Sequence, residues 1–178
     1  GTYTVQTIRN TTSPVLVPNI ATPIMTSNTT PSGIAFASST NASNFAWNAF
    51  NQDGTTTQWQ GGVANTGILG YQFTSGKVIK RYCIKGVATG SNLGGNPLTW
   101  TFQGSNDGTT YTTLETVTLY SMPAGSNYTS GILANTTSYT YYRINITATQ
   151  TIGFNPSITE FEMTESTGLV TATTAGGQ

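Results

Sequence analysis

LTWTFQGSNDGTTYTTLETV, residues 98–117, is the stretch whose pattern decides the fold. Leu98, Trp100 and Phe102 fall on one side of an extended chain, while Thr99, Thr101 and Gln103 fall on the other, which is the pattern of a strand with one buried face. SNDG follows. Asp-Gly tolerates the positive φ angles of a tight hairpin turn, so Asp107 reads as a turn residue rather than a functional carboxylate. A second β-rich run, TTYTTLETVTLY at 109–120, then returns along the first.

Working outward, similar short runs occur at 33–38 (GIAFAS), 68–73 (ILGYQF), 78–87 (VIKRYCIKGV), 139–149 (YTYYRINITAT) and 158–163 (ITEFEM). In the run at 139–149 the pattern is equally plain: Tyr142, Ile144, Ile146 and Ala148 oppose Arg143, Asn145 and Thr147. Gly, Asn and Pro turns separate the runs, and no long segment has a period of 3.6. An all-β, antiparallel sandwich or jelly roll with little helix is the architecture this implies. Phe45–Phe50 is the only helical turn expected. The domain is expected over 20–165. Residues 1–19, with TYTVQTIR and prolines at 14 and 18, read as an arm or linker strand, and the Gly/Thr-rich 166–178 as a tail or linker.

The chain has 178 residues, of which 36% are hydrophobic and 11% aromatic, enough for a substantial core. Only 7% are charged, and six basic residues balance six acidic ones. Such a chain has no field to gather phosphates or anionic lipid, so nucleic acid is excluded as an expected partner. Lys77, Lys80, Arg81 and Lys85 are close in sequence, but strand alternation splits them between faces. Cys83 is the single cysteine and reads as a buried thiol. No apolar run approaches the roughly 20 residues of a membrane-spanning helix, and the start lacks the features of a signal peptide. No membrane insertion is expected. Beginning at Gly1, the chain reads as a mature product or an excised piece.

There is no histidine, which excludes Ser-His-Asp and Cys-His nucleophilic sites and His-bearing zinc sites. No phosphate-cradling glycine motif occurs either; GSNLGGN at 90–96 is a Gly/Asn loop. Glu160 and Glu162 alternate with Phe161 and Met163 and read as a solvated or ion-binding edge rather than a glycosidase pair. The chain is not expected to be an enzyme.

AWNAFNQDGTTTQW, residues 46–59, concentrates oxygen donors between aromatic anchors. Asn51, Asp53 and Thr57 are hard ligands of the kind that bind Ca²⁺. The loop does not fit an EF-hand, because Ala49 and Gln60 would stand where carboxylates are required. With one local carboxylate, a second would have to come from Glu160 or Glu162. The other reading is a turn in which Asn51 and Asp53 bond to their own backbone and Gly54 supplies a left-handed conformation.

This segment, together with PIMTSNTTPSG (23–33), GYQF (70–73), VIKRYCIKG (78–86), TWTFQGSNDGTTYTTLETV (100–117), YYRINIT (141–147) and SITEFEM (157–163), resembles the discoidin, or coagulation-factor C-type, family and related galactose-binding-like carbohydrate-binding modules. The resemblance spans about 20–165. It implies a non-catalytic sandwich of about eight strands with a structural calcium, carried here by Asn51, Asp53, Thr57 and Glu160, with Asn48 offering its carbonyl. Gln52 departs from a common Gly, and the loop is one residue longer before Trp59. The resemblance also implies ligand binding on loops at one end of the sandwich. The usual His and Arg contacts have no counterpart, which leaves Gln60, Asn92 and Asn96 as amide contacts to sugar hydroxyls. Trp59 is expected as a core anchor.

Two functions follow. The first is a carbohydrate-binding or adhesion module of a larger extracellular or virion protein, such as a bacteriophage fibre, attaching to cell-surface or cell-wall carbohydrate. The phage setting comes from resemblance alone. The second is a structural or decoration module contacting other subunits of a virion or surface assembly, with the N-terminal arm pairing in a homotrimer.

Overall fold

The computed structural model describes residues 20–54 and 57–165. The arm at 1–19, its trimer role and the tail at 166–178 lie outside the described residues. Ten strands run in chain order as β1 (Ile34–Ala37), β2 (Trp59–Gln60), β3 (Gly67–Lys77), β4 (Arg81–Lys85) and β5 (Pro97–Ser105), then β6 (Thr112–Val117), β7 (Asn127–Thr129), β8 (Tyr139–Thr149), β9 (Ser157–Ile158) and β10 (Glu160–Thr164). Short 3-10 turns occupy Ala46–Phe50 and Leu93–Gly95.

All pairings are antiparallel. One sheet has the order β1-β3-β8-β5-β6, a second β10-β4-β7, and β2 pairs with β9. This is the expected sandwich. In the large sheet Trp100 faces Ile146 and Phe102 faces Ile144 across the central β5–β8 pair. Trp100, Phe102, Tyr142 and Ile144 are fully buried, as their alternation requires. Leu98 and Ala148 depart from the expected set: the register shifts on both sides of Thr99, which pairs with Ala148, so the phase changes and both residues are only half-buried.

The two sheets meet through aromatic rings. Tyr82 of β4 stacks on Phe102 of β5 at 4.2 Å and 16°, and Phe102 lies 5.6 Å from Tyr142 at 15°. Phe50, from the first 3-10 turn, fills the gap between Tyr71 and Phe161, 5.4 and 5.5 Å away. Buried phenols need partners. Tyr82 Oη accepts a bond from Trp100 Nε1 (2.9 Å) and donates to Glu115 Oε2 (2.5 Å), while Tyr142 Oη donates to the Lys77 carbonyl (2.6 Å).

The β5–β6 connection is longer than a tight hairpin, because six residues (106–111) separate the strands. Asp107 organises it by accepting the Thr109 and Thr110 amides at 2.8 and 2.7 Å, and Gly108 takes φ +72°. These bonds hold the Asp107 carboxyl well below the usual range. Its role is structural. The cationic residues are also dispersed: Lys77 pairs with Glu165 at 3.3 Å, Lys80 donates to the Asn135 carbonyl, and Arg81 donates to that of Ser130. Cys83 is buried, and desolvation pushes its thiol up to about 12.

Phe102→Ala removes the ring that touches both sheets. It should cost about 3–5 kcal/mol, read as an earlier urea midpoint with an unchanged slope. A midpoint equal to that of the parent would show that this stack does not join the sheets.

Candidate functional site: the cation loop and the loop end

The AWNAFNQDGTTTQW segment is anchored from both ends. Ala46, Ala49 and Phe50 of the 3-10 turn are buried, and Trp59 is fully buried with its Nε1 donating to the Ser39 carbonyl (3.1 Å). Asn48 is buried and donates through Nδ2 to the carbonyls of Ser43 (3.3 Å) and Gln58 (3.0 Å), closing the segment on itself. Trp100 is also fully buried and Trp47 packs on the core. None of the three indoles lies open as a sugar platform.

Within the loop, Asn51, Asp53 and Thr57 converge. Asn51 Oδ1 accepts the Asp53 amide (3.1 Å), and its Nδ2 donates to Asp53 Oδ2 (3.1 Å) and Thr57 Oγ1 (2.6 Å). The Thr57 hydroxyl donates to the same carboxylate oxygen at 2.7 Å. Gln52 (φ +55°) and Gly54 (φ +71°) flank Asp53, both left-handed. Gly54 was expected to adopt this conformation. Gln52 has a physical cost there of roughly 1–2 kcal/mol, which explains why glycine suits the position in the family pattern.

Glu160 links the loop to β10. Its Oε1 accepts the Gly54 amide at 2.7 Å, while Oε2 is buried and has no hydrogen-bond partner. Burial, followed by the nearby charges of Glu162 and Asp53, pushes the carboxyl up to about 8. The expected solvated edge is thus corrected: Glu160 and Glu162 are only 6% and 7% exposed. Among the described residues no three His, Cys, Asp or Glu side chains cluster as a metal set. Any cation here would depend on two carboxylates and neutral oxygens.

The expected sugar contacts fare differently from one another. Gln60 is buried, and its Oε1 accepts the amides of Asn41 (2.9 Å) and Asn44 (3.3 Å). Asn96 is buried against Val87, accepting its N–H at 2.7 Å and donating back to its carbonyl. Both are internal staples rather than ligand contacts. Asn92 is half-buried at the start of the Leu93–Gly95 turn and remains at the surface.

The end of the sandwich around Asn92 gathers the connections 38–45, 61–66, 86–96, 118–126 and 150–156, which leave β1, β4, β6 and β8 or enter β3, β5, β7 and β9. Backbone bonds tie them: Thr151 N to Gly94 O (2.9 Å), Asn65 N to Phe154 O (2.8 Å) and Gly125 N to Val87 O (3.0 Å). Phe154 is 37% exposed and lies against Gly94, where an added Cβ would stand 2.8 Å from its ring. Ile152, Leu119, Val63 and Leu93 are exposed nearby in the same connections. No Asp, Glu, Lys or Arg occurs in any of the five. Sequence reading missed Phe154 because QTIGFNP has no periodicity; the available signal was two apolar residues flanking a glycine in a turn.

No family profile matches the chain, and no curated protein sequence does. Solved structures do. The chain is similar to chitosan-binding module 1 of a chitosanase/glucanase from Paenibacillus sp. IK-5, with 27% identity and a TM-score of 0.59 over 74% of this chain and 93% of that one. It is also similar to the family 32 carbohydrate-binding module of Clostridium perfringens NanJ in complex with galactose (18% identity, TM-score 0.61, 74% and 92% covered). A third is the lectin domain of lectinolysin complexed with Lewis B antigen (12% identity, TM-score 0.61, 79% and 98% covered). The fold is therefore the galactose-binding-like sandwich of family 32 carbohydrate-binding modules and related lectin domains, matching the discoidin-like motifs. Among the described residues no helix is long and apolar enough to cross a membrane.

The Glu160 carboxyl sets a pH dependence. Its folded value of about 8 lies above the ordinary 4.5, so its neutral form is favoured in the fold and its contribution is full below pH 4.5. That contribution is lost as pH rises towards 8. In chelator-treated buffer the melting temperature should fall across this window, and Glu160→Gln should flatten the fall. A parent curve that stays level or climbs would contradict the assignment.

Proposed function

We propose that the chain is a non-catalytic carbohydrate-binding module that attaches a larger extracellular or virion-surface protein, such as a fibre or adhesin, to cell-surface or cell-wall glycans. The observation that carries this reading is Phe154, an aromatic ring held open on a glycine at the loop end of a sandwich whose structural neighbours bind sugars. The ring supplies an apolar platform for the C–H face of a sugar, and Asn92 an amide for its hydroxyls. Chitosan, the ligand named for one neighbour, is cationic. With no carboxylate in the five connections, the loop end of this chain suits an uncharged glycan instead.

The same reading gives the Asn51–Thr57 loop a structural Ca²⁺. Asp53 and Glu160 would hold it with oxygens from Asn51, Thr57 and the Asn48 carbonyl. The unpartnered Glu160 Oε2 supports this, since a buried carboxylate oxygen without a donor is costly and a hard cation satisfies it. Asn51 must then present oxygen where it now presents Nδ2 to Asp53 and Thr57. The metal would brace the loop and take no part in sugar chemistry.

Two measurements test these assignments. Phe154→Ala should weaken binding to a neutral glycan by at least about tenfold, or about 1.4 kcal/mol, in titration calorimetry; equal affinity would remove the ring from the site. Calcium should raise the melting temperature of the parent and a chelator lower it, with no response in Glu160→Gln. A parent that melts identically with and without calcium would refute the cation.

A further inference from the structure

On the outward face of the five-stranded sheet, beside the 61–66 loop, lies an open depression of about 290 Å³. This is at the lower limit of small-molecule pockets, roughly 300 Å³. Ser38, Ser39, Thr66 and Asn145 supply its polar lining, and Val63, Ile68 and Gly67 its apolar lining. Asn145 stands opposite Ile68 in the β3–β8 ladder, on the face that points away from the core.

The chemistry of this lining is that of a sugar turned inside out. Ser38 Oγ accepts the Ile68 amide (3.0 Å) and Ser39 Oγ accepts that of Gly62 (2.9 Å), which fixes both oxygens while leaving each hydroxyl a proton to donate. Asn145 offers a donor and an acceptor together. No charged residue lines the depression. Arg143, the next outward residue on β8, is turned to other partners: Nε donates to Gln103 Oε1 (2.7 Å) and its guanidinium lies 3.5 Å from the Tyr111 ring centre. A phosphate or carboxylate ligand would find no counter-charge here, whereas a neutral polyol finds hydroxyl and amide partners among apolar side chains.

The depression and the Phe154 turn share the 61–66 loop. Their common wall is the 61–66 loop, one chain thick: Val63 and Thr66 face the depression, while Asn65 bonds to the other side through its N–H to Phe154 O (2.8 Å) and its Oδ1 to Gly153 N (2.7 Å).

We propose that this depression is a second glycan subsite, holding a further uncharged sugar unit of the same chain that stacks on Phe154. The inference rests on the sugar-binding reading of the loop end. It makes the ligand an extended neutral oligosaccharide rather than an isolated terminal sugar.

The test uses the full chain, titrated by calorimetry with galactose, N-acetylglucosamine and their oligomers of increasing length, and with chitosan oligomers as the cationic comparator. Affinity should rise about tenfold from single sugar to oligomer for the neutral series only. Asn145→Ala should lose that gain and keep the single-sugar affinity, while Phe154→Ala weakens both. In the parent, NMR signals of the Asn145 side-chain amide should shift with oligomers and not with single sugars. Affinity independent of length, or a gain that survives in Asn145→Ala with unmoved Asn145 signals, overturns the second subsite and leaves the Phe154 site standing. Absence of binding to every sugar in the panel overturns the sugar-binding reading itself, and the subsite with it.

Discussion

The face-to-face contact of Tyr82 with Phe102 is the joint on which the molecule depends, because it is the shortest ring contact between the three-stranded sheet and the five-stranded one. A chain with 7% charged residues gains little from surface ion pairs, so its cohesion rests on apolar and aromatic burial. The rings extend from that contact through Tyr142 on one side and Phe161, Phe50 and Tyr71 on the other. Trp100 and Glu115 satisfy the Tyr82 hydroxyl, so the joint has a fixed orientation as well as a large contact area. Fixing the strands in this way also fixes where their ends lie, and the loop end consists of those ends.

The parts of the fold legible in sequence are those whose burial has a period. β5 and β8 alternate, and Trp100, Phe102, Tyr142, Ile144 and Ile146 are buried as the pattern requires. β2 and β7, of two and three residues, are too short to carry any period and were not visible. The Leu98 misassignment came from the irregularity at Thr99, which nothing in a Leu-Thr-Trp sequence announces. At the site, the residues of one continuous segment were readable, and Asp53 does lie beside Glu160 through the Gly54 amide. Gln60 and Asn96 look like free surface amides in sequence. Their partners, Asn41, Asn44 and Val87, become visible only when the loops close.

The Asn51–Thr57 loop brings several local conflicts together in one place. Gln52 holds a left-handed backbone, Glu160 is buried beside other carboxylates, and its Oε2 lacks a donor. Each of these costs free energy on its own. They persist because surrounding structure over-determines them: Phe50 and Trp59 anchor the flanks in the core, and Asn48 ties the turn to Gln58. A segment anchored so firmly at both ends keeps its strain, whereas an ordinary surface turn could relax.

The distribution of charge separates the two halves of the problem. The β10 carboxylates Glu160 and Glu162 are buried and the half-buried Asp53 of the loop lies close to Glu160, a grouping of hard oxygens. The five connections at the loop end contain no charge at all, and neither does the lining of the sheet-face depression. Recognition at such surfaces must come from stacking, hydroxyl and amide hydrogen bonds, and shape, since no long-range field draws a ligand in. Each such contact is individually weak. An aromatic ring at Phe154 and a hydroxyl-lined depression one loop away therefore make physical sense as parts of one surface, on which a neutral chain gains affinity by touching both.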